Sequence, residues 1–401
     1  MVGVSGDVTS TPTLTSMKRG PGYRSSFSGM VATVFGANGA VGRAVCNRLG
    51  KSGTQFIVPY RGDHYDVMRL KVCGDLGQVL FTPYHLKDEE SCRKAMKYSD
   101  VVINLIGREY ETRNFKFEDV NIHGPRLLAR LARESGAKNF IHISALNARE
   151  KPQRLFMPKG SNFLRTKFLG EKAVLEEFPD ATIFRPSDMY GTGDYFTTYY
   201  NKWHRQGLGG QMPLWKKGNY SVKAPLHMSN LADGIMAAID NPAAKGVIFE
   251  AAGPERFLLG DLVDWMFEVM HKTPEDWGYE RTDLRVDIKP LILHAILQFL
   301  PIGLRSMRSP TLDKLERTQL TDEVLGLPSL EDLGVKLNRV EDEMPWVLDP
   351  HRAFRYHTYY SLQDRPVIHP LKPISGMEER ALEKELQKGK RMLHMFGLKY
   401  D

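Results

Sequence analysis

From residue 31 to about residue 250, short apolar runs alternate with stretches in which apolar residues recur every third or fourth position. The runs at 31–35, 55–60, 79–82, 101–106, 140–143 and 182–184 are rich in Val, Ile and Phe. They read as strands buried on both faces, the pattern of a parallel sheet. Helical spacing lies between them, at Val41, Val45 and Leu49, then over 88–96, 126–133 and 167–178. Strands alternating with helices predict an α/β chain with a doubly wound parallel sheet. Right-handed crossovers bring every strand's C-terminal end to one edge, where open α/β sheets bind ligands.

The most specific motif falls at that edge. The first strand runs directly into Gly36-Ala37-Asn38-Gly39-Ala40-Val41-Gly42, three glycines spaced three apart at a helix start. The first permits a sharp turn, the second clears space where a pyrophosphate meets backbone, and the third lets helix and sheet approach. Unpaired N–H groups and the helix dipole favour negative charge there. The segment predicts a dinucleotide site, against the plainer reading of a tight strand-to-helix turn. The second strand ends in Arg61, where an NAD site usually carries an acid on the ribose 2′-hydroxyl, and Arg43 follows the last glycine. Two cations favour a 2′-phosphate and so NADPH, with Asp63 arguing the other way and solvated surface arginines as the alternative. Asn104 and Gly107 after the fourth strand, and Ser144 after the fifth, fall in the same crevice.

The glycine spacing resembles the short-chain dehydrogenase/reductase superfamily, especially its extended and atypical members, which implies a Rossmann-type fold. In active members a serine polarises the carbonyl, a tyrosine on the next helix delivers the proton, and a lysine four residues later lowers the tyrosine pKa. Ser144 and Lys167 fit the first and last roles, but Phe163 stands at the tyrosine position of Phe163-Leu-Arg-Thr-Lys167. Phenylalanine cannot move a proton, and general acid–base catalysis typically supplies about 10²–10⁴ in rate. The expectation is therefore no catalytic residue, unless Tyr190 reaches in from another loop. The resemblance leaves Lys167 a second role, hydrogen bonding the nicotinamide ribose. Arg185-Pro186-Ser187-Asp188-Met189-Tyr190-Gly191 resembles the extended-family segment whose backbone meets the nicotinamide, which adds Pro186 and Ser187 to the site. Residues 225–235 resemble the return to the main sheet, and 246–254 a strand and loop of the second domain. Where extended members often place an acid near the adenine, this chain has Tyr84-His85-Leu86.

Within the superfamily, the runs 35–42, 104–111, 119–123, 170–172, 184–188, 253–263 and 330–334 resemble the nucleotide-binding accessory subunits of mitochondrial respiratory complex I. That resemblance implies a non-catalytic subunit that holds NADPH structurally and supports assembly or stability. It also implies a peripheral position on the matrix side of the mitochondrial inner membrane, with subunits of the matrix arm and membrane junction as partners. A free NADP-dependent reductase or isomerase, and an NADPH-responsive sensor, are the alternatives.

Composition narrows the picture further. With 401 residues, 42% of them hydrophobic, the chain can bury a sizeable core. A mean hydropathy of -0.36, without an apolar run of spanning length, argues against a transmembrane helix. A net charge of +7 suits an acidic partner, a phosphate ligand or an anionic membrane surface. The basic residues are dispersed and match no nucleic-acid module, so no nucleic acid is expected. Three cysteines are too few for a four-cysteine cluster or a disulfide framework, and 12 histidines lack ligand spacing, so no metal site is expected.

The chain divides into an N-terminal extension or transit peptide at 1–29 and a nucleotide-binding domain with interleaved smaller-domain segments at 30–272. A smaller C-terminal α/β region at 273–350 and an extended partner-binding tail at 351–401 follow. The apolar stretch 290–300, flanked by Lys289, Arg305 and Arg308, reads either as a membrane- or partner-facing segment or as a buried helix. The aromatic cluster 195–203 would line a substrate pocket in an enzyme and form core or interface in a subunit.

Overall fold

The computed structural model describes Gly20, Tyr23 and residues 26–205, 211–287, 289–292, 311–353, 368–382 and 384. Seven strands form one sheet: β1 (Val31–Phe35), β2 (Gln55–Tyr60), β3 (Val79–Pro83), β4 (Val101–Asn104), β5 (Asn139–Ile143), β6 (Thr182–Pro186) and β7 (Ile248–Ala251). Their order is β7-β6-β5-β4-β1-β2-β3 and every pairing is parallel. Six were legible from their apolar runs. The seventh is a correction: residues 246–254, expected in the second domain, supply an edge strand of the main sheet. Phe249 of β7 stacks on Phe184 of β6 at 5.5 Å between ring centroids, so joining the sheet buries an aromatic pair in the first core.

The described helices that frame the site are α1 (Ala40–Lys51), α2 (Glu89–Met96), α3 (Gly124–Glu134), α4 (Asn162–Glu177), α5 (Phe196–Arg205), α6 (Met228–Asp240), α7 (Leu259–Val269), α8 (Leu312–Thr318) and α9 (Val340–Leu348). Val45 and Leu49 of α1 and Leu231 and Ile235 of α6 share one core with the sheet. Residues of α2, α3 and the end of α4 share another that includes Val102 and Phe140. Helix α4 starts one turn before the expected residue 167, because the Ser161 hydroxyl caps the Leu164 N–H at 3.3 Å. Phe163 and Lys167 thereby lie four residues apart on one buried face.

A third core gathers side chains from α5, α7, α8 and α9, including Tyr199, Tyr200, Trp265, Met266, Leu315, Met344 and Leu348. Residues 368–375 run alongside it. Leu371 is buried there, the Trp265 indole N–H donates to the His369 carbonyl at 3.0 Å, and the Ile374 N–H donates to the Arg256 carbonyl at 2.8 Å. The tail expected to serve a partner is thus anchored near its root to its own chain. Among the described residues, no helix is long and apolar enough to cross a membrane. The apolar stretch 290–300 lies outside the described residues from position 293 onward, as does the aromatic segment 356–360.

Candidate functional site

Strands β1 and β4 are neighbours, yet the chain leaves them in opposite directions, toward β2 and β3 on one side and β5, β6 and β7 on the other. This switch point opens a crevice at the strand C-terminal ends. Two adjoining cavities occupy it, about 360 Å³ and about 280 Å³ in volume, with Gly36, Gly39, Gly107, Glu109, Tyr199 and Lys314 on the walls of both.

The three glycines differ in what requires them. Gly36 has φ +81°, and a Cβ there would lie 2.8 Å from the Leu105 backbone. A Cβ on Gly42 would lie 2.5 Å from the Ala37 backbone, so its absence lets α1 close on the turn. Gly39 has an ordinary φ of −66°, and a Cβ there would meet only the Gly36 carbonyl oxygen, at 3.3 Å. Packing within the protein constrains this glycine least of the three, since a shift of a few tenths of an ångström would admit a Cβ, whereas a phosphate against the backbone would require the space. Helix α1 has no side-chain cap and no acid in its first turn, leaving its N–H groups open to an anion.

The larger cavity lies over the end of β2 and suits the adenosine half. Arg61 lines it, with its guanidinium 5.1 Å from the Phe115 ring centroid. Val67, Tyr84, Leu86 and Phe115 form an apolar wall, which gives the non-acidic 84–86 segment a role. Asp63 accepts the Tyr65 N–H at 2.9 Å and caps the short helix His64–Cys73. That helix carries Arg69, which sequence reasoning missed; it donates to the Asn38 carbonyl at 3.1 Å and to its side-chain oxygen. Two expected residues line neither cavity. Arg43 donates to the Thr192 carbonyl at 3.1 Å, and Asn104 is fully buried, its side chain paired with His142 Nδ1 and accepting the Ile106 N–H, both at 3.1 Å.

The smaller cavity lies over β5 and β6. Ala40, Val41 and Gly42 of the glycine turn line it together with Ser144, Lys167, Pro186 and Ser187, the residues expected around the nicotinamide, and Phe163 lies beside them. The Ser144 hydroxyl is buried without a hydrogen-bond partner, which a bound polar ligand would supply. Lys167 donates to the Ile143 carbonyl at 2.8 Å. Burial lowers its pKa to about 8, with Glu171 opposing the shift and Arg317 adding to it. Arg185 of β6 and Glu171 of α4 form a bidentate pair at 3.0 and 2.6 Å that holds the Lys167 helix against the Pro186 strand. Tyr190 does not replace the missing tyrosine. It is fully buried, lines neither cavity and donates to the Arg339 carbonyl at 3.3 Å. From the aromatic cluster, Tyr195, Phe196 and Tyr199 line the cavity while Tyr200 is core.

The opposite wall comes from α8, which was not singled out in the sequence. Asp313 accepts the Ser161 hydroxyl at 3.0 Å and the Asn162 N–H at 2.6 Å. Glu316 accepts the N–H groups of Leu155, Phe156 and Met157 at 2.6, 3.1 and 3.1 Å. Lys314 and Arg317 pair with Glu109 at 2.5 and 3.1 Å. Burial alone would raise the Glu109 carboxyl, but these two cations hold it below its ordinary value. The Arg317 guanidinium stacks over the Phe163 ring at 4.1 Å from its centroid, so a permanent cation lies beside the apolar residue at the proton-donor position.

The chain matches the model of the NAD dependent epimerase/dehydratase family over residues 32–252. It is 43% identical to the rat (Rattus norvegicus) protein NADH dehydrogenase (ubiquinone) 1 alpha subcomplex subunit 9, mitochondrial, over 84% of each chain. The chain belongs to the subunit 9 family. Among other relatives, the mitochondrial NADH-ubiquinone oxidoreductase 40 kDa subunit from Neurospora crassa is 30% identical over 91% of this chain and 92% of its own. The solved structure of gox2253 shares the fold with a TM-score of 0.55 and 18% identity, covering 82% of this chain and 98% of that one. For this subunit 9 family member, the crevice joins an uncapped glycine turn at the α1 N-terminus to a second half in which the proton-donor position is Phe163.

Lys167 gives the site a measurable proton signature. An anionic nucleotide in the crevice should raise its pKa, so binding at pH 8 is expected to take up a fraction of a proton and binding at pH 6 none. Titration calorimetry in buffers of different ionisation enthalpy reads this directly, and Lys167→Met should abolish it. The ligand-free chain should respond in the complementary way. Lys167 titrates near 8 when folded and near 10.5 otherwise, so the unfolded chain binds more protons in that interval. Stability is therefore expected to rise with pH through that window.

Proposed function

We propose that the protein is a peripheral, non-catalytic subunit of mitochondrial respiratory complex I, on the matrix side of the inner membrane, that holds NADPH as a resident structural cofactor. The observation that carries this reading is the contrast between Gly39, left open for phosphate, and Phe163, apolar and covered by Arg317. The cradle residues Gly36, Ala37, Asn38, Gly39, Ala40, Val41 and Gly42 would hold the pyrophosphate. Arg61 would meet the 2′-phosphate, Arg69 holds Asn38 of the cradle, and Gly107, Ser144, Lys167, Pro186 and Ser187 support the nicotinamide half. When bound, such a cofactor supplies a hydride donor, but Phe163 passes no proton at the tyrosine position, and of the two tyrosines on the smaller cavity's wall, Tyr195 and Tyr199, burial holds the Tyr199 phenol well above its ordinary pKa. The mitochondrial complex I names of the relatives support the assembly, and partners among its subunits follow from it. The buried position of Tyr190 disfavours the free-reductase reading.

Isolation of the native assembly under mild detergent, with quantification of released nucleotide, tests the proposal. Stoichiometric NADPH that stays reduced during incubation with candidate oxidants is expected. Free protein whose nucleotide turns over would overturn it. On the isolated chain, NADPH at 100 times its Kd should add about 2.7 kcal/mol of stability, read as a raised Tm.

A further inference from the structure

We infer that the smaller cavity discriminates between redox forms, holding the reduced nucleotide more tightly than the oxidised one, and that Arg317 sets much of the difference. The inference rests on the placement of the nicotinamide half proposed above. The two forms differ by one hydride: the reduced ring is neutral and the oxidised ring carries a formal positive charge. The phosphates and adenosine are the same in both, so a difference in affinity reports only on the field around the ring.

That field is positive. Five cationic side chains and three carboxylates line the cavity. Two of the carboxylates, Asp188 and Asp322, are engaged by Lys223 at 2.8 and 3.3 Å. Glu109 alone faces Lys314 and Arg317. Arg317 and Lys167 both approach the Phe163 ring, at 4.1 and 5.9 Å from its centroid. Arg317 adds to the depression of the Lys167 pKa, so its charge is felt where the ribose and ring are placed. Arginine stays protonated at every physiological pH, which makes its contribution a fixed one. A phenol at position 163 could ionise and neutralise part of this charge; phenylalanine cannot.

Titration calorimetry of the full chain with NADPH and with NADP+ separately tests the inference. The expected Kd ratio is at least about tenfold in favour of NADPH, which moves the potential of the bound couple upward by about 30 mV. Arg317→Gln should bring the ratio to within about threefold, Arg317→Lys should keep it, and Lys314→Gln should move it in the same direction as Arg317→Gln. The NADPH-to-NADH ratio, which reports the 2′-phosphate end, should be unchanged in all three variants. Equal affinities for the two redox forms in the unmodified protein, or a ratio indifferent to all the charge-removing variants, would overturn the inference and leave the cofactor proposal standing. Failure of the unmodified protein to bind either form would overturn both.

Discussion

Replacing Arg185 by methionine is expected to destabilise the protein by about 3–5 kcal/mol, because it leaves the Glu171 carboxylate buried without its partner. The two side chains are 8% and 2% exposed and share two hydrogen bonds, so little water reaches either charge. Glu171→Gln should cost less, since an amide oxygen still accepts one guanidinium N–H. The double variant Arg185→Met/Glu171→Leu should recover most of the loss, as removal of both charges restores an apolar contact. Denaturant unfolding of the unmodified protein, Arg185→Met, Glu171→Leu and the double variant closes the cycle, with Glu171→Gln measured beside it. A single Arg185→Met change worth less than about 1 kcal/mol would mean that water or a rearranged cation reaches Glu171. The consequence extends to the site, because this pair fixes α4 against β6. A double variant that folds normally but binds nucleotide weakly would show that the pair positions Lys167 rather than merely stabilising the sheet.

The second large effect separates ligand from fold within a single turn. Gly39→Ala is expected to leave the Tm of the nucleotide-free protein nearly unchanged while lowering NADPH affinity by about 100-fold or more, a change of about 2.7 kcal/mol in binding. Its backbone angle is one that any residue adopts, and the nearest protein atom to the new methyl is a carbonyl oxygen at 3.3 Å. Gly42→Ala should do the reverse in part. Its methyl would press 2.5 Å from the Ala37 backbone, and such overpacking costs about 1–3 kcal/mol of stability. Thermal melts with and without NADPH distinguish the two. If Gly39→Ala retained the full ligand-induced rise in Tm, the phosphate would not lie against this turn.

The expectations that succeeded were local ones. The runs that became β1 to β6 are short, apolar and β-branched, and each is bounded by a helix of contrasting period, so the alternation specified a parallel sheet. The glycine turn was equally legible, because the restrictions on φ at Gly36 and on space at Gly42 act between residues a few positions apart. Phe163 and Lys167 could be placed four residues apart without any structure, and the apolar character of the proton-donor position is a property of the sequence alone.

What the sequence left open depends on contacts that close long loops. Residues 246–254 joined the main sheet because β6 had an unpaired edge that an aromatic strand could cover, and no local period signals which sheet a strand will extend. Arg69 came to brace Asn38 of the glycine turn from a 3₁₀ segment with no clear apolar stripe, while Arg43, adjacent to the motif, turned away to Thr192. The wall made by α8 is the clearest case. Lys314 meets Glu109 across 205 residues, and Asp313 caps α4 across 151. The sequence by itself determined a strand–glycine turn–helix with phenylalanine at the tyrosine position; the tertiary structure alone decided that α8 brings Arg317 over Phe163, because that contact exists only once distant segments have packed together.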